Sequence, residues 1–155
     1  MTAARGDGVF LATKVYENIS CIFRIWDADH PKDRVLKSYT FRIKILFESH
    51  YLGQGNQLLD DDHDCLKEFN KMLNQYFRNK TVVALNDPEM PIFQALDQKG
   101  VIFLSTLPEV SSEKIAQEIF NWFKVWLINS KLIERVDIRS AELTVNGLHN
   151  VIYVV

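Results

Sequence analysis

Cysteine is scarce in this chain: 155 residues contain two, Cys21 and Cys65, and no Cys-x-x-Cys pair. That removes the paired-thiol redox and zinc motifs, and leaves each cysteine as an expected packing residue. Long apolar runs are missing too, so no segment approaches the length needed to cross a bilayer. The opening MTAARGDG lacks a basic run followed by an apolar core, and the expected location is the cytoplasm. Positive charge is not in excess: the formal net charge is -2. Without a global positive field, neither nucleic acid nor an anionic membrane is an expected partner. Nor is there a glycine-rich phosphate loop or a serine-centred elbow, so phosphoryl and acyl transfer have no motif here.

What is present is the hydropathy pattern of a single α+β domain. ENISCIFRIWD (17–27) and LKSYTFRIKILFE are rich in β-branched and aromatic residues, and the loop between them carries Pro31 and charges. They predict an antiparallel pair. Over 37–48, Lys37, Tyr39, Phe41, Ile43 and Ile45 share one face and Ser38, Thr40, Arg42 and Lys44 the other, the alternation of a half-buried strand. From Asp62 to Arg78, Leu66, Phe69, Met72, Leu73, Tyr76 and Phe77 recur at helical spacing. Ser111 or Ser112 caps a second helix whose stripe is Ile115, Ile119, Phe123, Trp126 and Leu127, ending near Ser130. The closing runs, 135–145 and 150–155, flank Asn146-Gly147, a strong hairpin signal. Between the helices, TVVAL and VIFLS surround a Pro-containing loop. The expectation is a four-stranded antiparallel sheet in the order ββααββ with two helices on one face, preceded by an N-terminal extension over 1–16. Apolar residues on both sheet faces would call for oligomerisation by sheet packing or strand addition.

In this order the chain resembles the 6-pyruvoyl-tetrahydropterin synthase and 6-carboxytetrahydropterin synthase family, whose tunnelling fold (T-fold) has these elements. The resemblance spans about 17–155. It rests on LLDDDHDCLK, with Asp62 at the family's aspartate; on ALNDPEM at its leucine-asparagine-aspartate stretch; on LPEVSSEKIAQEIFNWF, placing Ser111, Ser112 and Glu113 on the start of helix two; and on VDIRSAELTVNG, where Glu142 falls near the glutamate that anchors the pterin. The resemblance implies a homo-oligomer, a hexamer or other ring, with a pterin-type pocket between subunits.

The family's chemistry is matched far less well. Its zinc is held by a histidine after strand one and a His-x-His pair at the start of strand two, because neutral imidazoles at period-two spacing converge on one metal. Here the His-x-His slots hold Lys37 and Tyr39, and only His30, in WDADH, aligns with the first ligand. An ammonium has no free lone pair and a phenol is a poor ligand unless ionised. The family's loop cysteine is absent from 28–36, and its aspartate-histidine pair is replaced by Thr81 and Val82, neither able to shuttle a proton near neutral pH. Zinc is therefore not an expected cofactor, and the zinc-dependent synthase reaction is not expected.

The ligand-holding end of the site is better represented. Glu142 suits the ring N–H and exocyclic amine of a pterin-like heterocycle, against a solvated charge on the hairpin as the plainer alternative. Ser111 and Ser112 offer helix-start N–H groups, or simply cap the helix. Lys37 and Tyr39 form a pocket wall or pack. The acidic run Asp60-Asp61-Asp62-His63-Asp64 suits a helix start better than a cation, and His50, His63 and His149 share no ligand spacing. Three functions fit the sequence: a pterin-binding protein without zinc chemistry, an enzyme with substituted site residues, and a structural or regulatory subunit without a ligand.

Overall fold

The computed structural model describes residues 8–53, 58, 64–130 and 132–155. Its elements are β1 (Phe10–Phe23), β2 (Lys37–Ser49), α1 (Asp64–Tyr76), β3 (Lys80–Ala84), α2 (Met90–Gln98), β4 (Leu104–Leu107), α3 (Ser112–Asn129), β5 (Asp137–Val145) and β6 (His149–Val154). The sheet has six strands in the order β4-β3-β1-β2-β5-β6. Strands β1, β2, β5 and β6 pair antiparallel, whereas β3 runs parallel to both β1 and β4.

Among the described residues the sheet has six strands and there are three α-helices, in place of the expected four strands and two helices in the order ββααββ; the β3-α2-β4 unit accounts for the difference. The apolar runs TVVAL and VIFLS hold its two short strands, of five and four residues, and β3 does not alternate: Thr81, Val82, Val83 and Ala84 are all buried, as parallel strands covered on both faces are. Pro91 looked like a loop signal. It lies in the first turn of α2, where a missing N–H costs no helical hydrogen bond.

Strand β1 also starts at Phe10, not Glu17, so residues 10–16 are its first half and not an extension. Ala12, Lys14 and Tyr16 stand opposite the core residues Phe47, Ile45 and Ile43, but the register shifts between Tyr16 and Ile19, with Asn18 at φ 58°. This bulge moves the core-facing set from even to odd positions, and so breaks the period that marks a strand. At the other end the strand stops at Phe23, and Trp26-Asp27 forms a turn closed by Ala28 N–H on the Ile25 carbonyl (3.1 Å).

The core lies between the sheet and helices α1 and α3. Phe41, Ile43, Ile45 and Phe47 of β2 are buried, as the alternation predicts, against Phe69 and Leu73 of α1, Phe77 just after it, and Ile115, Ile119, Phe123 and Leu127 of α3. Burial of each such side chain stabilises the fold by roughly 1.5–3 kcal/mol before entropy is counted. The hairpin falls at Asn146-Gly147, both at positive φ (52° and 71°). Among the described residues no helix is long and apolar enough to cross a membrane.

Candidate functional site

A crevice of about 250 Å³ opens where three parallel strands end. Ile25, Trp26 and Asp27 follow β1, Ala84 and Asn86 close β3, and Glu109, Val110 and Ser111 lead from β4 into α3, whose Lys114 completes the lining. Carboxyl ends of parallel strands are where open α/β sheets place their ligands, because neighbouring chains diverge there and leave a gap.

The walls are held from below. Arg24 donates from Nε to Asp87 Oδ2 (2.9 Å) and from Nη2 to Oδ1 (2.6 Å), and Oδ1 also accepts from the Glu89 N–H (2.9 Å). Burial alone would raise the Asp87 carboxyl, but the bonds from Arg24 and Glu89 and the guanidinium charge outweigh it and hold the group below the usual carboxylate range. This pair ties the end of β1 to the turn before α2. Arg34 fastens the other side of the Trp26 loop, donating to the carbonyls of Ala28 (2.7 Å) and Asp29 (3.0 Å), while Ile25 N–H reaches the Asp33 carbonyl (2.9 Å). Trp26 Nε1 donates to Asn86 Oδ1 (3.3 Å), which fixes the half-buried indole as one wall. Across from it Glu109 pairs with Lys114 (3.2 Å).

The residues singled out from the sequence separate. Ser111 lines the crevice, but as a helix cap: its Oγ accepts from the Lys114 N–H (3.0 Å). Ser112 is the first residue of α3 and is half-buried. Lys37 and Tyr39 point to the core side of β2. Lys37 Nζ lies 3.5 Å from Asp33, and the Tyr39 ring stacks on Phe23 with centroids 4.1 Å apart and 13° between planes. Burial raises the phenol of Tyr39, and the Asp33 charge adds to it. His30 is exposed and caps a short 3-10 turn (Pro31–Arg34), its Nδ1 accepting from the Lys32 N–H (3.1 Å). These groups do not suit zinc: a cation already facing a carboxylate, a phenol held protonated, and an imidazole with one nitrogen in use. Among the described residues no three His, Cys, Asp or Glu side chains gather in a metal-binding group.

Glu142 stands elsewhere. It pairs in register with Lys44 on the sheet face that α1 and α3 leave uncovered, opposite to the face of Tyr39. Within one chain Glu142 and the Lys37/Tyr39 pair therefore do not converge. Thr81 and Val82 are buried in β3, and Cys21 is buried with its thiol pushed up to about 12 by desolvation. His50 and His149 are exposed. Asp62, His63 and Asp60-Asp61 lie outside the described residues. The sequence reading does not single out the crevice-lining Trp26, Asp27, Asn86, Glu109 and Lys114; for the first four the signal is position, two to four residues past a strand end, and Lys114 lies in the first turn of α3.

Solved structures with the same architecture say what this arrangement is similar to. The 6-pyruvoyl tetrahydropterin synthase of Plasmodium falciparum superposes with TM-score 0.60 at 16% identity, covering 92% of this chain and 96% of that one. That of Plasmodium vivax gives 0.61 at 15%, covering 93% and 97%. The chain has a 6-pyruvoyl tetrahydropterin synthase-like fold. An uncharacterized protein from Wolinella succinogenes is more similar in shape, with TM-score 0.80 at 13% identity over 96% of this chain and 99% of that one. No protein-family model matches the sequence, and no curated protein matches it. At these identities the likeness concerns the fold.

Proposed function

We propose that this 6-pyruvoyl tetrahydropterin synthase-like protein binds a pterin or a related planar heterocycle without zinc-dependent catalysis. The reading rests on one contrast. The positions that hold the metal in related enzymes are engaged in other contacts, Lys37 with Asp33 and Tyr39 with Phe23, whereas an indole-walled crevice with polar groups on its rim stands open beside Ser111. Ligand sites are typically concave, part aromatic, and equipped with a few oriented polar groups. Thr81 and Val82, which stand where the resemblance puts the family's aspartate-histidine pair, carry no group able to shuttle a proton near neutral pH.

The same fold favours self-association into a ring. Among the described residues strand β1 pairs with β3 over Cys21–Phe23, and β6 is the terminal strand at the other side. The uncovered sheet face exposes Val15, Ile22, Ile152 and Val154, and edge pairing between copies would satisfy those strand edges.

Purified, metal-analysed protein titrated with pterin by calorimetry tests the proposal. Binding with no stoichiometric zinc is expected. Stoichiometric zinc, with turnover of a dihydropterin substrate, would replace it by the enzyme reading; light scattering that finds a monomer would remove the ring.

A further inference from the structure

We propose that Asn146 is a latent deamidation site: its side-chain amide converts to a carboxylate when the β5–β6 hairpin opens, and two hydrogen bonds to Thr40 hold the reaction off while the hairpin is closed. The site lies on the hairpin, apart from the crevice, and involves no ligand.

Among the described residues Asn18, Asn79 and Asn146 sit at positive φ (58°, 59° and 52°). Asn18 and Asn79 precede Ile19 and Lys80, whose side chains crowd the next amide nitrogen, whereas Asn146 precedes Gly147 in the chain's only Asn-Gly step. With no side chain on Gly147, its nitrogen is the least hindered nucleophile that follows any asparagine of the sequence. The reaction needs only solvent. The Gly147 nitrogen bonds to Asn146 Cγ, the Cγ–Nδ2 bond breaks, and Nδ2 leaves as ammonia with the Gly147 proton. Water then opens the cyclic imide at either carbonyl, giving aspartate, or isoaspartate with the main chain rerouted through the side-chain carbon.

The closed hairpin holds the carboxamide elsewhere. Asn146 N–H donates to the Thr40 carbonyl (2.8 Å), and Asn146 Oδ1 accepts from the Thr40 N–H (2.9 Å). The side chain thereby extends the β2–β5 ladder one step past the Phe41–Val145 pair, and must leave Thr40 before Cγ can turn onto the Gly147 nitrogen. Leu148 N–H closes the turn on the Val145 carbonyl (3.0 Å). Opening this end of the sheet disturbs little of the core: β6 is a terminal strand, its His149, Asn150, Ile152 and Val154 are exposed, and Val151 is its buried anchor. Asn146 and Gly147 are exposed, so water reaches the imide. Isoaspartate at 146 puts an extra carbon into the turn and a charge beside Thr40, so a converted hairpin loses the geometry that closed it.

The test follows Asn146 by peptide mass during incubation at mildly alkaline pH, in buffer and in fully denaturing urea, with an isoaspartyl methyltransferase to separate the two products. Denatured wild type is expected to convert at Asn146 before any other asparagine, and folded wild type at least about 10-fold more slowly. Gly147→Ala should lose the conversion in urea, where the fold has no influence. Val151→Ala, which trims the buried anchor of β6, should speed conversion of the folded chain by about 10-fold and leave the rate in urea unchanged. Should that variant fail to fold, wild type in urea below its unfolding midpoint gives the same reading: conversion should rise in step with hydrogen exchange at the Leu148 N–H. Equal rates in folded and denatured wild type would overturn the Thr40 lock. Earlier conversion at Asn129, before Ser130, would overturn the site, and a folded Val151→Ala that converts as slowly as wild type would overturn opening as the gate.

Discussion

Removing the Asp87 carboxylate should loosen the crevice and destabilise the whole chain, by an amount that the surroundings of Arg24 set. The Asp87 side chain is 1% exposed and that of Arg24 19%, and Asp87 receives two bonds from Arg24 and one from the Glu89 N–H. Breaking a buried pair by deleting one partner costs about 3–5 kcal/mol, because the other charge is left uncompensated. Arg24 keeps its bond to the Arg34 carbonyl (3.3 Å) and its place over the Phe93 ring (6.0 Å), so the lower end applies. We expect about 3 kcal/mol for Asp87→Ala and about 2 kcal/mol for Asp87→Asn, which keeps an acceptor. For a chain of this size 3 kcal/mol lowers the melting midpoint by about 6–12 °C.

Urea denaturation followed by tryptophan fluorescence, at one fixed protein concentration because self-association would shift the midpoint, measures the loss. A cycle with Arg24→Met isolates the coupling, expected to exceed about 1 kcal/mol. The sign of the pH dependence follows from the lowered carboxyl: its contribution is complete above the unfolded carboxylate range, about pH 4, and disappears as pH falls through the still lower folded value. Asp87→Asn should therefore flatten the acid limb of stability. A cost under about 0.5 kcal/mol for Asp87→Ala, or an additive cycle, would refute the pinning role.

Other substitutions probe the rest of the frame. Iodoacetamide should label Cys21 only after unfolding, read as peptide mass, because burial pushes its thiol up to about 12 and removes the thiolate; rapid labelling of native protein would show the strand to be open. Gly147→Ala meets no neighbouring atom within 4 Å, so its cost is conformational alone, about 1 kcal/mol for a side chain at φ 71°, whereas Asn146→Ala adds loss of the Thr40 N–H bond (2.9 Å) and should cost about 1–2 kcal/mol. Tyr39→Phe should leave stability and pterin affinity within about 0.5 kcal/mol, since the ring stack on Phe23 survives; Tyr39→Ala should cost about 3 kcal/mol by opening a cavity. A large affinity loss in Tyr39→Phe would show the phenol to be a ligand group.

The parts of the fold legible in the sequence are those with a long, single period. Helix α3 was readable from Ser111 to Ser130 because one stripe and one cap agree, and β2 because six successive core and solvent positions alternate without a break. β1 lost seven residues to the bulge at Asn18, which shifts parity halfway along. The β3-α2-β4 unit is hard to read because β3 is buried on both faces and carries no alternation, and β4 has only four residues. For the site, the resemblance draws attention to positions 37, 39, 81 and 82, but not to the residues that line the crevice. Glu142 rests on the resemblance of VDIRSAELTVNG to the family's last hairpin; which side of the sheet it faces depends on register with Lys44, a tertiary fact. The crevice joins residues more than eighty positions apart, Trp26 to Glu109, and only the strand order β4-β3-β1 brings their strand ends together.

That network also predicts how the protein responds to chelation. In a site built around a metal, the ligands hold the loops, and removing the ion lowers stability by its binding free energy. Here the connection from Arg24 to Lys37 is held by protein groups: Arg24 on Asp87 and the Arg34 carbonyl, Arg34 on the Ala28 and Asp29 carbonyls, Ile25 on the Asp33 carbonyl, and Lys37 beside Asp33. None of these bonds requires an ion, and together they fix both ends and the middle of the loop that carries Trp26. EDTA should therefore leave the melting midpoint within about 1 °C and leave pterin affinity unchanged. By contrast Arg34→Met, which deletes two donors to carbonyls and leaves the ion pair below intact, should cost about 1–2 kcal/mol and weaken pterin more than it weakens the fold. A midpoint that falls by several degrees in EDTA and recovers with added zinc would mean that a metal, and not Arg34, organises this end of the sheet.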